Sequence, residues 1–571
     1  MKYINKAFFR DVWDLTKGYW QSEDRWKAYG LAVVIVALQI IYVSSLVYYN
    51  AWQKDFYNTI QNVDADAFFY YLKFWPMYMV FFIFIEVNRD YLMQWLEIRW
   101  RTWLVNHYVG AWLGDKTYYY LQIMKANGSA GLDNPDQRIS DDIRLFVNYV
   151  LTLTLGVLNA VMKLISFSTV LWSLSGLVEL SLGSHQIAIS GYMVWLALIY
   201  ALTGCLFTLI VGKPIVKLNY KQQEFEANFR FGLARIREYC ESIASFKGET
   251  AESRSAMQGF YVVRDNFKRL MSRQWWLSWV TSLHWRIGFL FPYLVGVPKV
   301  FSGEMQFGGL MQTAVAFQHV ENALAYLVLH YYSTTEASFA QLQAIVERLT
   351  DFKKSMTGLD EKSDIIQIEY RIGGDDHLEA SNLSLYKPDG APIISHLDLR
   401  IDQGEWVMIS GPSGRGKSTL LKALLGIWPY GQGLIEGPPR DETMFLPQKA
   451  YMPLGSLKAC LTYPREPKYI SDQQVQDILR LCGLSGFVDK LDQVDNWGQV
   501  LSLGEQQRLS FARLFLLKPR WIFLDEATSA LDLSSEGRMY ELLRTLCPGA
   551  TVVSVAHRLY LRDYHDRELE V

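Results

Sequence analysis

The sequence predicts a bundle of membrane-spanning α-helices followed, in the same chain, by an α/β nucleotide-binding domain. Three observations predict it. Residues 28–53 and 186–212 contain no Asp, Glu, Lys or Arg, and a bilayer core takes about 20 apolar helical residues. The string Gly411-Pro412-Ser413-Gly414-Arg415-Gly416-Lys417-Ser418 follows a short apolar run, 405–410, which is the strand–loop–helix setting a P-loop requires. A second apolar run, Trp521 to Leu524, ends in Asp525-Glu526.

The elements follow in order. Residues 1–27 form a charged, amphipathic leader, and the first span begins at Ala28. The second covers 67–87, with Lys73 and Glu86 near its ends, where long side chains reach the interface. The third covers 146–174 and carries Lys163; the fourth is the uncharged run 186–212. The fifth, 274–298, contains His284 and Arg286, and the sixth, 307–333, contains Glu321. The bundle is therefore expected over 28–340, with a linker at 341–372 and the nucleotide-binding domain at 373–571.

Loop charge orients the bundle. Lys2, Lys6, Arg10, Lys17, Arg25 and Lys27 precede the first span. Lys54 is the one basic residue between spans one and two, and none lies between three and four. The long segments 88–145 and 213–273 are rich in Lys and Arg. The N-terminus, both long segments and the C-terminal domain are expected in the cytoplasm. Ionisable groups inside a bilayer are costly and mark function more often than surface charges do. Lys163, Arg286 and Glu321 are thus candidates for a substrate cavity, the alternative being pairs that satisfy one another.

A net charge of −2 gives no strong draw to nucleic acid. The five cysteines, Cys205, Cys240, Cys460, Cys482 and Cys547, show no CxxC or metal-ligand spacing and read as reduced thiols.

The P-loop carries the chemistry. Its glycines let backbone N–H groups approach phosphates, and the helix that follows adds partial positive charge. Lys417 is placed for the β- and γ-phosphates, Ser418 for Mg²⁺, and Thr419 completes the turn. Asp525 fits the carboxylate that orients the Mg²⁺ shell.

Leu501-Ser502-Leu503-Gly504-Glu505 resembles the signature of ATP-binding-cassette (ABC) proteins, with Leu503 in place of the commoner glycine. That resemblance implies further roles. Glu526 stands where such ATPases keep the general base, and His557, after the strand Thr551 to Val555, matches the switch histidine. Gln448 resembles the Q-loop glutamine, which reaches metal and lytic water. Ser529-Ala530-Leu531-Asp532 resembles the D-loop. Ser502 and Gly504, with Glu505 in the following helix, suit the γ-phosphate of an ATP held by a second cassette. Tyr386 is the nearest candidate for an adenine platform, one position from the usual register; a plain strand tyrosine is the alternative. Six spans with two long excursions match an ABC exporter-like bundle.

The string Asn134-Pro135-Asp136-Gln137-Arg138-Ile139, the stretch Glu241 to Glu249 and Leu425-Gly426-Ile427-Trp428-Pro429 narrow the resemblance. Together they look like bacterial transporters of the SbmA/BacA-like group with a fused cassette (the YddA type), related to peroxisomal fatty-acyl ABC half-transporters. The resemblance implies ATP and Mg²⁺ as cofactors, a homodimer, a lipid environment in the bacterial inner membrane and no nucleic-acid partner. It implies uptake of peptides or other hydrophilic solutes. Export or flipping of lipid and acyl compounds is one alternative; a membrane-anchored ATPase that senses or regulates is another. Asn134 to Asp142 is expected to brace a cytoplasmic helix, and Glu226 either transmits cassette closure or is a solvated charge.

Overall fold

The computed structural model describes residues 6–126, 134–182, 185–332, 337–361, 368–373, 376–412, 414–556 and 558–571. The chain divides into two compact units, Met1–Leu113 with Gly131–Ser355, and Gly114–Ala130 with Met356–Val571.

Along the first 361 residues the helices are α1 (Lys6–Trp20), α2 (Arg25–Gln61), α3 (Ala65–Leu72), α4 (Trp75–Leu113), α5 (Thr117–Ala126), α6 (Pro135–Gln137) and α7 (Ile143–Ser175). A hairpin of β1 (Leu177–Leu182) and β2 (His185–Ser190) follows. Then come α8 (Tyr192–Glu238), α9 (Cys240–Phe246), α10 (Glu249–Phe301), α11 (Phe307–Tyr332) and α12 (Phe339–Glu361).

Among the described residues, four helical stretches are long and apolar enough to cross a membrane: Arg25–Gln61, Ala65–Met124, Pro135–Ser175 and Tyr192–Glu238. They contain the first three expected spans whole and the fourth from Tyr192 on; residues 186–190, expected inside that span, instead pair in the β1–β2 hairpin. The fifth and sixth fall on α10 and α11, helical throughout, whose apolar runs are broken by His284, Arg286, Gln312, His319 and Glu321. Part of the bundle core is Phe167 and Leu171 of α7, Met193 and Ala197 of α8, and Ala316, Phe317 and Val320 of α11, all buried. The start of α11 is held by α2: Phe307 N–H donates to Gln61 Oε1 (2.7 Å) and Gly308 N–H to Asn58 Oδ1 (2.9 Å). Gly308 is required there, because a Cβ would lie 2.0 Å from the Lys54 carbonyl oxygen.

Asn134 enters α6 in the left-handed conformation, and residues Arg138–Asp142 form a π-turn into α7. Asp142, 2% exposed, accepts from Arg138 Nη1 (2.8 Å) and from Arg348 Nη2 (2.6 Å) of α12. The Asn-Pro-Asp-Gln-Arg string thus leads into a carboxylate that ties α7 to α12.

Among the described residues the second unit contains a five-stranded sheet, a four-stranded sheet and a two-stranded ribbon. Its strands are β3 (Glu369–Ile372), β4 (His377–Tyr386), β5 (Pro392–Asp402), β6 (Trp406–Ser410), β7 (Gly431–Gly437), β8 (Thr443–Leu446), β9 (Gly455–Ser456), β10 (Val494–Asp495), β11 (Trp521–Asp525), β12 (Thr551–Val555) and β13 (Arg567–Glu570). Strands β13-β6-β12-β11-β8 make a parallel sheet, and β3-β7-β4-β5 a mostly antiparallel one. The helices are α13 (Lys417–Leu424), α14 (Leu457–Thr462), α15 (Asp472–Leu481), α16 (Trp497–Val500), α17 (Leu503–Leu517) and α18 (Leu533–Leu546). Strands β11 and β12 are buried at every position, which is why they read as unbroken apolar runs in the sequence.

Two boundaries differ from expectation. The segment 341–372, expected as a linker, is largely the helix α12 and ends in β3, an edge strand of the four-stranded sheet, and the units part within α12 at Ser355. The segment Gly114–Ala130, expected inside the bundle, belongs to the compact unit of the cassette.

Candidate functional site

The P-loop leaves the C-terminal end of β6 and turns into α13. Gly411, Gly414 and Gly416 all have positive φ, and a Cβ on Gly416 would meet Ile393 Cγ2 at 2.2 Å. Lys417 is 5% exposed, and its Nζ donates to the carbonyls of Gly411 (2.8 Å) and Pro412 (2.9 Å). These bonds hold the ammonium inside the curve of the loop. Arg415 is exposed, and Thr419 lies in the first turn of α13. Ser413 lies outside the described residues.

Strand β11 runs two places from β6 in the same parallel sheet and delivers Asp525 and Glu526 to the same end. Ser418 Oγ donates to Asp525 Oδ1 at 2.7 Å. Burial pushes the Asp525 carboxyl above the usual carboxylate range, while the Ser418 hydrogen bond pulls it down. A hydroxyl beside a carboxylate is the hard-oxygen donor set that suits Mg²⁺, which takes few protein ligands and completes its shell with phosphates and water. Among the described residues no group of three or more His, Cys, Asp or Glu is placed to hold a metal by itself.

Glu526 has φ +48, a strained value for a residue with a side chain. Its N–H donates to Val555 O at 3.0 Å, which fixes it at the end of β12. Gln448, just past β8, donates from Nε2 to Glu526 Oε2 at 2.8 Å. The structure thus brings Ser418, Asp525, Gln448 and Glu526 together from three strand ends. His557 lies outside the described residues.

Ser502 is the N-cap of α17 and forms a capping box with Glu505. Ser502 N–H donates to Glu505 Oε2 (2.9 Å) and Ser502 Oγ to the same oxygen (2.8 Å). Gly504 packs against the D-loop, where a Cβ would sit 3.3 Å from Ala530 O. Leu503 is 65% exposed, so the side chain that replaces glycine meets no resistance. No hydrogen bond joins Ser502 to residues 411–418 among the described residues. Asp532 caps α18, accepting from Ser535 N–H at 2.9 Å.

Tyr386 ends β4 opposite Pro392, one residue from the Ile393 that packs on Gly416. Its carbonyl accepts from Trp428 Nε1 at 3.1 Å. The register therefore brings it towards the P-loop side of the cassette.

Sequence reasoning missed three residues in the cassette unit. Gln507 of α17 donates to Gln448 O (3.3 Å) and Ser529 Oγ (3.2 Å) and accepts from Ala530 N–H (2.9 Å), knitting together the Q-loop, D-loop and signature helix. Glu536, 1% exposed, accepts from Thr528 Oγ1, Tyr560 OH and, at 2.7 Å, Arg558 Nη1. It thereby holds the residue next to His557. Lys116, at the turn before α5, donates from Nζ to Gly426 O (2.6 Å) just beyond α13, and Arg440 Nη2 reaches the same carbonyl (3.2 Å). A polar residue within a buried helix face was the available signal for Gln507; nothing local marks Lys116.

The three membrane candidates lie on three different helices, α7, α10 and α11. Lys163 lies 5.9 Å over the Tyr42 ring, which Arg89 also faces at 5.6 Å. Arg286 is exposed on α10. Glu321 is 7% exposed, and its Oε1 lies 3.3 Å from His284 Nε2. His284 stacks on Tyr200 of α8 at 4.2 Å. Two glycines make room for this pair: a Cβ on Gly204 would meet His284 Nε2 at 2.3 Å, and one on Gly288 would meet Glu321 Oε2 at 2.8 Å.

Residues 15–301 match the family described as ABC transporter transmembrane region 2, and residues 394–529 the family described as ABC transporter. The chain is 32% identical to the inner membrane ABC transporter ATP-binding protein YddA of Escherichia coli, covering 95% of this chain and 94% of that protein. It is 30% identical to ABC transporter D family member 2, chloroplastic, of Arabidopsis thaliana, covering 99% and 86%. It is 27% identical to the lysosomal cobalamin transporter ABCD4 of Mus musculus, covering 95% and 91%. A bacterial Atm1-family ABC exporter with ATP bound has the same fold, with a TM-score of 0.72 at 16% identity over 96% of this chain and 94% of that one.

Proposed function

Because the chain belongs to the ABC transporter family, with transmembrane region 2 joined to an ABC cassette, we propose that it works as a homodimer importing peptides or other hydrophilic solutes. Its ATPase activity drives solute movement across a membrane. The bacterial inner membrane, with the N-terminus and cassette in the cytoplasm, is the proposed setting; the basic leader and excursions support that orientation. The relative named as a cobalamin transporter supports a bulky polar cargo.

The proposal rests on one observation: Ser418 meets Asp525 and Gln448 meets Glu526 at neighbouring strand ends. In the proposed cycle the P-loop amides and Lys417 hold the ATP phosphates. Mg²⁺, held by Ser418 and Asp525 with Gln448 beside it, would neutralise charge on the β- and γ-oxygens. Glu526 takes a proton from the attacking water, with Gln448 fixing the acceptor oxygen. His557 reaches the γ-phosphate, and Tyr386 supports adenine. The signature residues Ser502 and Gly504, with Asp532 of the D-loop, close over the ATP of the partner cassette. Lys163, Arg286 and Glu321 are the charged groups offered to a polar solute.

Purified protein in sealed vesicles, wild type against Glu526→Gln, tests this reading. ATP hydrolysis and ATP-dependent uptake of a labelled hydrophilic peptide are expected in the wild type, and loss of both in the variant. Hydrolysis unchanged in the variant would remove Glu526 from the reaction. Wild-type hydrolysis with no flux of any peptide or lipid would favour a sensing ATPase. For the cavity, Glu321→Gln with normal expression and unchanged uptake would place that residue off the solute path.

A further inference from the structure

A pocket of about 740 Å³ lies between α8 and α10. Lys217 and Lys221 of α8 line one wall, and Lys268, Arg269 and Arg273 of α10 the other, with Trp276 at one end. Lys217 and Lys221 are one helical turn apart on one face, as are Arg269 and Arg273. Like charges at that spacing repel and destabilise a helix unless an anion answers them. Among the described residues, none of these five side chains makes a hydrogen bond or an ion pair. The acid one turn before Arg269, Asp265, is engaged by Arg264 at 2.9 Å. Glu224, three residues beyond Lys221, is exposed and forms no ion pair with it among the described residues, and Glu226, one turn beyond Gln222, accepts from Gln222 at 3.1 Å.

The five cations are exposed, but the backbone beneath them is fixed. The pocket floor includes Asn266, 4% exposed, which donates to Leu218 O (3.0 Å) and Gln222 Oε1 (2.9 Å) and so locks α10 to α8 beneath the cations. Its height along the helices is also informative. The apolar run of α8 ends at Gly212, and the fifth expected span begins at residue 274, so the cations run from the edge of the expected hydrocarbon region at Arg273 to about two and a half turns beyond it at Lys221. Trp275, Trp276 and Trp279, each more than half exposed, mark the boundary itself, where tryptophan sits at headgroup level. Basic pockets between transmembrane helices at this depth suit phosphate headgroups.

We propose that this pocket binds the phosphate ester of an anionic phospholipid, in the leaflet on the side of the 213–273 excursion. The paired cations take the phosphate oxygens, and Trp276 packs against the glycerol backbone. The site is separate from the ATP site and from the Lys163 and Glu321 positions, and it makes the α8–α10 pair sensitive to lipid charge.

Native mass spectrometry of the full-length protein in neutral detergent, titrated with phosphatidylglycerol or phosphatidylcholine, tests this. The wild type is expected to retain phosphatidylglycerol over phosphatidylcholine. The Arg269→Gln/Arg273→Gln variant should bind it about 25-fold more weakly, taking about five-fold for each lost cation. Arg269→Lys/Arg273→Lys should keep the preference, and matched thermal midpoints for both variants would exclude misfolding. Equal retention by wild type and the glutamine variant would overturn the proposal, as would equal binding of the two lipids by wild type. Displacement of the lipid by inorganic phosphate would overturn the lipid as source and assign the same cations to a soluble phosphate.

Discussion

Glu526 concentrates strain, position and chemistry in one residue. Its left-handed backbone is held by Val555, and its carboxylate by Gln448. Replacing it with glutamine keeps the shape and removes the basic oxygen, so steady-state ATP hydrolysis is expected to fall by about 10²–10⁴-fold with ATP binding retained. Binding and turnover measured on the same preparation check this. The cysteines give a second prediction. Burial pushes the Cys482 thiol up to about 12 and that of Cys547 up to about 11, and it raises Cys460 as well. Cys240 is exposed on α9. Maleimide at neutral pH should therefore label Cys240 in the folded protein and leave these three unmodified until it is denatured. At this scale the short motifs were legible, because each asks for a fixed residue at a fixed offset from a strand end. Gln507, Glu536 and Lys116 were not, because their partners lie tens to hundreds of residues away in the chain.

Helix pairing sets the next level. Glu321 of α11 occupies the space that Gly288 of α10 leaves open, and His284 of α10 the space left by Gly204 of α8. Gly288→Ala would force Glu321 and Tyr200 aside and should cost roughly 1–3 kcal/mol, as overpacking does. A lowered thermal midpoint in detergent would report it, and an unchanged midpoint would mean the helices shift freely. Asp142→Asn should loosen the tie between α7 and α12 by roughly 1–3 kcal/mol, below the full value of a buried pair because Arg348 is 38% exposed. The uncharged runs made α2 and α8 plain in the sequence, and strands β6, β11 and β12 were equally plain as short apolar runs. The helical character of the linker 341–372 was not legible, because α12 carries charge on an exposed face and so resembles a polar connection. The grouping of Gly114–Ala130 with the cassette was invisible, since its partners, the Gly426 carbonyl among them, lie some three hundred residues along the chain.

For the whole molecule, the signature and the P-loop lie on one chain but make no hydrogen bond to each other among the described residues. A second copy is the economical way to complete each ATP site, and two copies would complete two. The composite site can be read without knowing the cargo. Lys417→Ala disables the P-loop and Ser502→Ala the signature, so each variant alone should form dimers with both sites defective and little ATP hydrolysis. A dimer containing one chain of each kind holds one site with both defects and one fully intact. Co-expressing and co-purifying the two variants, then measuring ATP hydrolysis, reads out the shared site. The mixture is expected to regain activity that neither variant has alone. A mixture as inactive as its components would contradict the shared site.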